Sequence, residues 1–525
     1  DPLPPPLPKK QLQRAESLPE QGPFHHSRGD LTPQASSIIN SIPSPHLQHE
    51  EGSSSSFTPW DRPSWELKKP LTKSYSLGEP VARSSPLKAP STSPTELTFG
   101  MADGKLGQLL ESPSGVCGVV LRCQEATLAR LSAHIQEELM GPEDRHQLLE
   151  AELAGKSWAA FSILEQEPCC ESRDAWYYRV GFAFDQTQLV LAAKVPKPNC
   201  ASLGVQSSLG VHCNIQRLIS RFTNHLPQEL VLPESPGEQC QSPSRENPDH
   251  LATCPVVQVY ICPEVPYQTL SGFVQGSHSW HRSSPGHYER LACLLLLQVC
   301  MGLEHLRGQH VGQGDLCPEN LLLVHCQYPP PSQQSKESSL GLPLPRLLIS
   351  SFFKVKDKRR SYSSSQEQDW TKEVVAPPSL VADELSVGIL IYQLLHVDIS
   401  LEKALGFRSN RLPEIPSLSI YSMGLKHLAT LLLHRDPCKR VSIEQARSIL
   451  QVLLWGPRQE LFARSKKTLT LLRSWVEVKR ALLLLKFAEN SAGGVQSPGL
   501  EEWLCCQYFR EVTEHTLCHI TQVLY

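Results

Sequence analysis

The stretch Asp315-Leu316-Cys317-Pro318-Glu319-Asn320-Leu321-Leu322 decides the fold of this chain. It follows an apolar segment, residues 291–306, in which leucine recurs densely enough to predict a buried helix. The proline and the polar residues at its centre predict a loop rather than a continuation of that helix. An apolar helix therefore leads into a short loop that carries one carboxylate, Asp315, and one amide, Asn320.

The segments on either side of this loop differ in kind. Upstream, residues 176–180 and 189–194 are β-branched and aromatic runs separated by a turn, which predicts a β-hairpin. Downstream, apolar residues recur at helical spacing over three segments, 382–395, 425–433 and 443–453. The sequence thus predicts an α+β fold of two lobes, a β-rich N-lobe followed by an α-helical C-lobe.

A β lobe followed by an α lobe is the outline of a protein kinase, and the stretch from Asp315 resembles the kinase catalytic loop. By that resemblance Asp315 stands where the catalytic base stands, and Asn320 where a metal ligand stands. Lys194, at the end of the second hairpin strand, occupies the place of the lysine that pairs with nucleotide phosphates. Residues 382–390 and 436–442 resemble two later kinase signatures, so the matches occur in the kinase order.

Several parts needed for phosphoryl transfer are missing. Ser351-Phe352-Phe353 stands where the metal-binding Asp-Phe-Gly is expected, and a neutral hydroxyl does not hold a dication as a carboxylate does. Residues 169–188 contain a single glycine, Gly181, so no glycine-rich phosphate loop can be identified. Residues 201–228 contain no acidic residue to pair with Lys194. We therefore predict a catalytically inactive pseudokinase that binds no metal and no cofactor.

Two other functions remain open on the sequence alone. One is an atypical active kinase that uses Lys194, Asp315 and Asn320, and the other is a pseudokinase that senses nucleotide without turnover. A structural interpretation also exists for the retained residues, in which Lys194 is a solvated strand end and Asp315 and Asn320 only brace the loop.

Composition excludes several other classes of protein. The chain has 525 residues, 50 basic and 53 acidic side chains, and a net charge of -3, which argues against a nucleic-acid binder. The longest apolar run, residues 291–303, is shorter than a membrane span, and no signal peptide follows Asp1. A start without methionine predicts a truncated beginning. The 17 cysteines lack disulfide or zinc spacing and are expected to be reduced.

The composition also divides the chain into four regions. Residues 1–95 are rich in proline and serine and are expected to be a disordered tail. Residues 96–145 are predicted to hold an N-terminal flanking helix that ends at Gly141-Pro142, and residues 146–456 form the pseudokinase domain. Residues 457–525 are expected to be a C-terminal helical region, with Ser497-Pro498 starting its last helix.

Five segments carry a closer resemblance. They are Tyr177-Tyr178-Arg179-Val180, Ala193-Lys194-Val195-Pro196-Lys197-Pro198, Pro318-Glu319-Asn320-Leu321-Leu322-Leu323-Val324, Leu454-Trp455-Gly456-Pro457 and Glu502-Trp503-Leu504-Cys505-Cys506. They resemble the PEAK/Pragmin family of pseudokinase scaffolds, and the short tail is most similar to its shortest member. The resemblance implies flanking helices that pack together as a dimerisation module, with the chain itself and related family pseudokinases as partners.

Apolar residues on the flanking helices fit this implication, because they occupy more than one helix face. The residues expected to dimerise are Leu128, Leu131, Ile135, Leu472, Trp475, Leu483, Trp503 and Leu504. The alternative is that these side chains pack only within their own chain.

The tail begins with a proline-rich run, Pro4-Pro5-Pro6-Leu7-Pro8-Lys9-Lys10. A polyproline II helix would present Pro5, Leu7 and Pro8 to aromatic grooves, with Lys10 reaching an acidic pocket. This pattern suits a Crk-type SH3 adaptor, which the family resemblance also implies. The alternative is a spacer that binds nothing.

A second motif follows at once. Arg14, Ser17 and Pro19 form an R-x-x-S-x-P pattern that suits 14-3-3 proteins once Ser17 is phosphorylated, and its proximity to Lys9 and Lys10 suggests competition between the two partners. So short a motif also occurs by chance. The family's tyrosine site for Shc/Grb-type adaptors is not seen here, and Tyr75 is a poor substitute. The resemblance implies a cytoplasmic signalling protein of cell-motility pathways, at the cytoskeleton or at adhesions.

Overall fold

The computed structural model describes residues 107, 111, 113–198, 209–231, 256–313, 316–326, 344–354, 383–399, 412–462, 468–493 and 498–525. The chain divides into two units, residues 1–88 and 89–525, and every described residue belongs to the second. The predicted tail and its motifs therefore lie outside the described residues.

Two helices precede the kinase-like part. α1, Pro113–Met140, is the helix that the apolar spacing predicted before Gly141-Pro142. It is followed by α2, Glu143–Leu153, which was not predicted. Gly141 separates them with a φ of +77°, a conformation that glycine adopts without steric cost. The ring Nε2 of His146 donates to the carbonyl of Met140 at 2.8 Å, so α2 also satisfies the end of α1.

The N-lobe is an antiparallel sheet. Its strands are β1, Ser162–Ile163; β2, Cys170–Glu171; β3, Ala175–Phe184; β4, Thr187–Pro196; β5, Ser220–His225; and β6, Val256–Cys262. The main path runs β1-β3-β4-β6-β5, and β2 pairs with β3. The predicted hairpin is β3–β4, closed by Asp185 and Gln186 at positive φ, as a two-residue turn of primed type requires. One face of the sheet packs against Leu149 and Leu153 of α2.

Short elements join the lobes around one long helix. They are β7, Pro266–Thr269; α3, Leu270–Gly276; α4, His278–Ser283; α5, Pro285–Gly308; β8, Val311–Gln313; β9, Leu321–Val324; β10, Arg346–Ile349; and β11, Phe352–Lys354. Strands β10, β9 and β7 form one sheet in that order, and β11 pairs with β8. Among the described residues one helix, α5, is long and apolar enough to cross a membrane, but 67% of its apolar window is buried in the protein, as in a core helix.

The C-lobe and the C-terminal region are helical. The C-lobe contains α6, Asp383–Leu394; α7, Ser422–Leu432; and α8, Ile443–Trp455. The region after it contains α9, Gln459–Phe462; α10, Thr468–Ala492; α11, Leu500–Glu511; and α12, Glu514–Leu524. One expectation was wrong, because α11 begins after Gly499 rather than at a Ser497 cap, and α12 follows it. The two-lobed α+β architecture predicted from the sequence is confirmed.

Candidate functional site: a buried lysine between the lobes

Lys194 lies on the central strand of the N-lobe sheet. Strand β4 pairs with β3 through Tyr177 and with β6 through Tyr260 at this position, so neighbouring strands cover Lys194 on both sides. Its side chain is 0% exposed. The interpretation of Lys194 as a solvated strand end is therefore wrong, because the strand delivers the ammonium group into the interior between the lobes.

Protein groups surround the Lys194 ammonium. Its Nζ donates to the carbonyl oxygen of Ser350 at 3.0 Å and to Oε1 of Gln216 at 3.3 Å. The carboxylate of Asp174 lies 3.7 Å away, and the Tyr177 ring centroid lies 5.6 Å away. A buried cation is tolerated only when it is paired and hydrogen-bonded, and this set of groups supplies both.

Asp174 comes from the turn that joins β2 to β3. This turn contains three residues, 172–174, and lies where the resemblance to kinases would place the glycine-rich loop. The Ser172 hydroxyl donates to Asp174 Oδ1 at 2.6 Å and fixes the carboxylate. Sequence reasoning missed Asp174, although an acidic residue in the phosphate-loop position was a usable signal. The turn therefore directs a negative charge toward Lys194 where a kinase would hold the negative charge of its nucleotide.

Gly181, the glycine of this region, has a different role. It lies in the middle of β3, opposite Val190 and Ser162. A Cβ atom at this position would come within 2.4 Å of the side chains of Gln188 and Ser162. The residue therefore permits close strand packing and is not part of a phosphate cradle.

Residues 350–353, which follow β10, carry no charge. Ser350 is fully buried, and its hydroxyl donates to the carbonyl of Asn320 at 2.8 Å. Ser351 is half-buried, and Phe352 and Phe353 begin β11, which pairs with β8. Where a kinase has a metal-binding aspartate, this chain therefore has hydroxyl and backbone groups, which are poor ligands for a dication.

Of the two retained residues of the catalytic-loop segment, the structure describes Asn320 but not Asp315. Asn320 ends a short 3₁₀ turn, Pro318–Asn320, and is 3% exposed. Asp315 lies outside the described residues, so its predicted role stays a prediction. Within the ranges that the structure describes, no group of three or more His, Cys, Asp or Glu side chains could hold a metal ion.

Gln216 takes the place expected for the glutamate that pairs with the lysine. It belongs to the segment 209–219, which is not helical where the structure describes it. The backbone N–H of Gln216 donates to the backbone carbonyl of Ile349 at 3.0 Å, and the backbone N–H of Ile349 donates to the backbone carbonyl of Asn214 at 2.9 Å. These bonds add the segment to the edge of β10 in parallel, with Ile215 opposite Ile349.

Two titratable side chains beside Lys194, Cys262 and Tyr177, remain neutral near pH 7. Burial raises the pKa of the Cys262 thiol to about 12 and raises the pKa of the Tyr177 phenol well above its ordinary value. The negative charge near Lys194 therefore comes from Asp174.

Comparisons with known proteins agree with this site. No family model matches the chain. It is 33% identical to the inactive tyrosine-protein kinase PRAG1 of Homo sapiens over 99% of its length, and 32% identical to the inactive tyrosine-protein kinase PEAK1 of Homo sapiens over 100%. The crystal structure of the pseudokinase PEAK1 is similar with a TM-score of 0.59 at 34% identity, and covers 78% of this chain and 100% of that one. The chain belongs to the PEAK/Pragmin family of pseudokinases.

The chain spans 42% of the length of human PRAG1 and 34% of that of human PEAK1. The family resemblance inferred from the sequence is thus confirmed, and it extends through the lobes and the flanking helices.

The predicted dimerisation residues of this family member take part in packing within a single chain. Five of them are at most 4% exposed within the single chain: Leu128, Ile135, Leu472, Trp503 and Leu504. Leu131, Trp475 and Leu483 are partly buried against the same cluster. The five buried side chains pack between α1, α10 and α11 and hold the flanking helices of one chain together, and their role in a dimer stays a prediction.

Exposed apolar residues lie on another face of α10. Val478, Leu482 and Leu485 are 57%, 54% and 58% exposed, and they follow Trp475 at spacings of three, four and three residues. This spacing places the four side chains on one helix face, which we call the α10 stripe.

Proposed function

We propose that this chain is a catalytically inactive scaffold that dimerises and recruits adaptor proteins to signalling pathways of the cytoskeleton and cell motility. The observation that carries the proposal is the closed environment of Lys194. The protein itself supplies the lysine with an anion, Asp174, at 3.7 Å, and with two acceptors, Gln216 and Ser350. A nucleotide phosphate would have to displace all three groups, and Ser351 offers no carboxylate for the metal that accompanies it.

A nucleotide titration tests the inactive state. We expect the melting temperature of the full chain to be unchanged by ATP, with or without Mg²⁺, because the lysine has no open position for a phosphate. A matched Asp315→Ala variant controls for residual catalysis. A thermal shift with ATP, together with phosphate transfer that Asp315→Ala abolishes, would replace the scaffold by an atypical kinase. A shift without transfer would favour a nucleotide sensor.

The α10 stripe supports the dimer. Four apolar side chains at helical spacing, three of them more than half exposed, expose apolar area that a second helix can cover. The second copy would be this same chain or another family pseudokinase. Burial of the α10 stripe would stabilise the dimer by the hydrophobic effect, and this contact requires no open active site.

The adaptor partners are proposed from the tail and the family resemblance, because residues 1–95 lie outside the described structure. Pro5, Leu7, Pro8 and Lys10 would bind a Crk-type SH3 domain, and phosphorylated Ser17 with Arg14 and Pro19 would bind 14-3-3. Shc/Grb-type adaptors would need a tyrosine site beyond those in this sequence. These partners imply a cytoplasmic location.

Affinity capture tests the two motifs separately. The full chain, Ser17→Ala and Leu7→Ala would each be captured from the same cells, with Crk and 14-3-3 measured together. We expect Ser17→Ala to lose 14-3-3 and to keep or gain Crk, and Leu7→Ala to lose Crk alone. Retention of 14-3-3 by Ser17→Ala would contradict the assignment of Ser17, and retention of Crk by Leu7→Ala would contradict that of the proline-rich run.

A further inference from the structure

Two neighbouring residues of the segment 209–219 make contacts on opposite sides. Gln216 is 2% exposed and points inward, where its Oε1 accepts from Lys194 Nζ at 3.3 Å and from the Tyr177 hydroxyl at 3.5 Å. Arg217 points the other way, toward α2. Successive side chains of an extended backbone alternate between its two sides, so one short piece of chain contacts both the lysine site and a flanking helix.

Arg217 is clamped by two carboxylates of α2. Its Nη1 and Nη2 donate to Glu143 at 2.9 and 3.0 Å, and its Nε and Nη2 donate to Glu150 Oε1 at 3.1 and 2.7 Å. The Arg217 side chain is 15% exposed. Guanidinium bonded to paired carboxylates in this bidentate manner is geometrically specific, so the position of α2 determines the position of Arg217.

α2 is in turn coupled to α1. Only Gly141 and Pro142 separate the two helices, and His146 of α2 donates to the last carbonyl of α1 at 2.8 Å. α1 packs against α11 through the buried cluster that includes Leu128 and Trp503. A continuous set of contacts therefore runs from the flanking helices through Arg217 and Gln216 to Lys194.

The segment has space on its outer side. A cavity of ≈ 470 Å³ and another of ≈ 460 Å³ lie beside it, and both are lined by Glu143, Val211, His212, Ile215 and Arg217. The segment is attached to β10 by its bonds to Ile349 and to α2 by Arg217, and it borders open volume between them. Cys213, Ile215 and Ile219 of the segment are buried in the hydrophobic cores and hold its inner side. Gln216 and Arg217 border the open volume, so they can move into it once Arg217 is released from α2.

We propose that the segment 209–219 is a coupling element, in which α2 holds Gln216 against Lys194 through Arg217. Displacement of α2 opens the lysine site, and a group that enters the lysine site loosens α2, since such coupling is reciprocal. The proposal goes beyond the scaffold function, because it concerns how the flanking helices control the closed site and is independent of which adaptors the tail binds.

Chemical labelling of Lys194 tests the coupling in the full chain. A water-soluble acylating reagent modifies accessible amines, and mass spectrometry measures the rate at each lysine. Arg217→Glu places three carboxylates together and should release the segment, so we expect the labelling rate of Lys194 to rise at least tenfold. The fully buried thiol of Cys300 in α5, followed with an alkylating reagent, reports global unfolding and should stay protected.

Two matched variants sharpen the experiment. Arg179→Glu breaks the exposed Arg179–Glu165 ion pair of the same sheet, which does not contact Gln216, and should leave Lys194 protected. Restoring the clamp with reversed charges, Arg217→Glu with Glu143→Arg and Glu150→Arg, should return the labelling rate toward that of the wild type. Protection of Lys194 in Arg217→Glu would overturn the proposal. Simultaneous exposure of Lys194 and Cys300, or equal labelling in Arg179→Glu, would overturn it as well.

Discussion

At the scale of single residues, the site depends on how a buried ammonium is neutralised. Lys194 is 0% exposed, whereas the Asp174 side chain is 16% exposed. The two partners therefore differ in what happens when the other is lost: a lysine without Asp174 remains buried with its charge, but Asp174 without the lysine still contacts water and keeps the bond from Ser172.

This asymmetry predicts unequal effects of two substitutions. Asp174→Asn should lower the free energy of unfolding by about 1–3 kcal/mol, because it leaves the cation of Lys194 buried with neutral acceptors. Lys194→Met should cost less, since it removes the buried charge and keeps most of the side-chain volume. Urea unfolding of both variants and of the double variant measures the coupling between them. A larger loss for Lys194→Met than for Asp174→Asn would contradict the interpretation.

Glu304 predicts a dependence of stability on pH. It lies on α5, 3.2 Å from Arg447, with its side chain 19% exposed. Burial raises the pKa of Glu304 from 4.5 to about 7, and it outweighs the attraction of Arg447. The folded state thus keeps a proton that the unfolded state loses above pH 4.5, so the stability from this group is complete below that pH and is lost as the pH rises to 7.

Glu304→Gln removes this titration. Between pH 5 and pH 8 the wild type should lose stability that the variant keeps. The free energy of unfolding of the variant should therefore rise relative to that of the wild type by at most about 3 kcal/mol, at 1.36 kcal/mol per pKa unit. Thermal or urea unfolding of both proteins at several pH values gives the difference directly, and the other titrating groups cancel. If the difference in free energy of unfolding between the two proteins stays constant over this range, burial does not raise the pKa of Glu304.

At the scale of elements, Arg480 joins the flanking helices. It lies on α10 and is 2% exposed. Its guanidinium donates to the carbonyls of Phe509 at 2.6 Å and Val512 at 3.0 Å, and to Glu125 of α1 at 3.0 Å. One side chain thus satisfies the end of α11 and ties it to α1 and α10.

Arg480→Met should therefore loosen the C-terminal helices. Two buried carbonyls lose their donor, so we expect a loss of about 2–4 kcal/mol, with faster amide hydrogen exchange in α11 and α12 than in the N-lobe. Arg473→Met is the matched control, because Arg473 makes an exposed pair with Glu477 on the same helix, worth about 0.3–0.5 kcal/mol. Equal exchange in the two variants would argue against a joining role for Arg480.

Periodicity explains which elements could be predicted from the sequence. The β3–β4 hairpin, α1 and α8 have local patterns of apolar residues, and Gly141 marks the end of α1, so these elements follow from the chain itself. The hairpin strands, Ala175–Phe184 and Thr187–Pro196, are longer than the predicted runs 176–180 and 189–194. The partners of Lys194 could not be predicted in this way. Gln216 and Asp174 reach the lysine from separate segments that only the tertiary fold brings together, and an absent glutamate does not say which residue replaces it.

The same limit applies to the flanking helices. A helix with apolar residues on two faces is predicted to make two packing contacts, but the pattern does not say which of them is made within the chain. Leu128 and Leu504 proved to be buried inside one copy, whereas Leu482 and Leu485 remain exposed. Burial in the fold, and not apolar character alone, therefore selects the candidates for an interface.

At the scale of the whole molecule, the α10 stripe predicts how copies associate. Leu482→Glu with Leu485→Glu places two charges on a surface that a second copy would bury, so we expect sedimentation velocity to show a dimer for the wild type and a monomer for the variant. Because both residues are more than half exposed, circular dichroism and the melting temperature should change little. Ile420→Glu with Met423→Glu, each 69% exposed on the C-lobe, is the control and should stay dimeric. A wild-type monomer at tens of micromolar, or a stripe variant that remains a dimer, would contradict this interface.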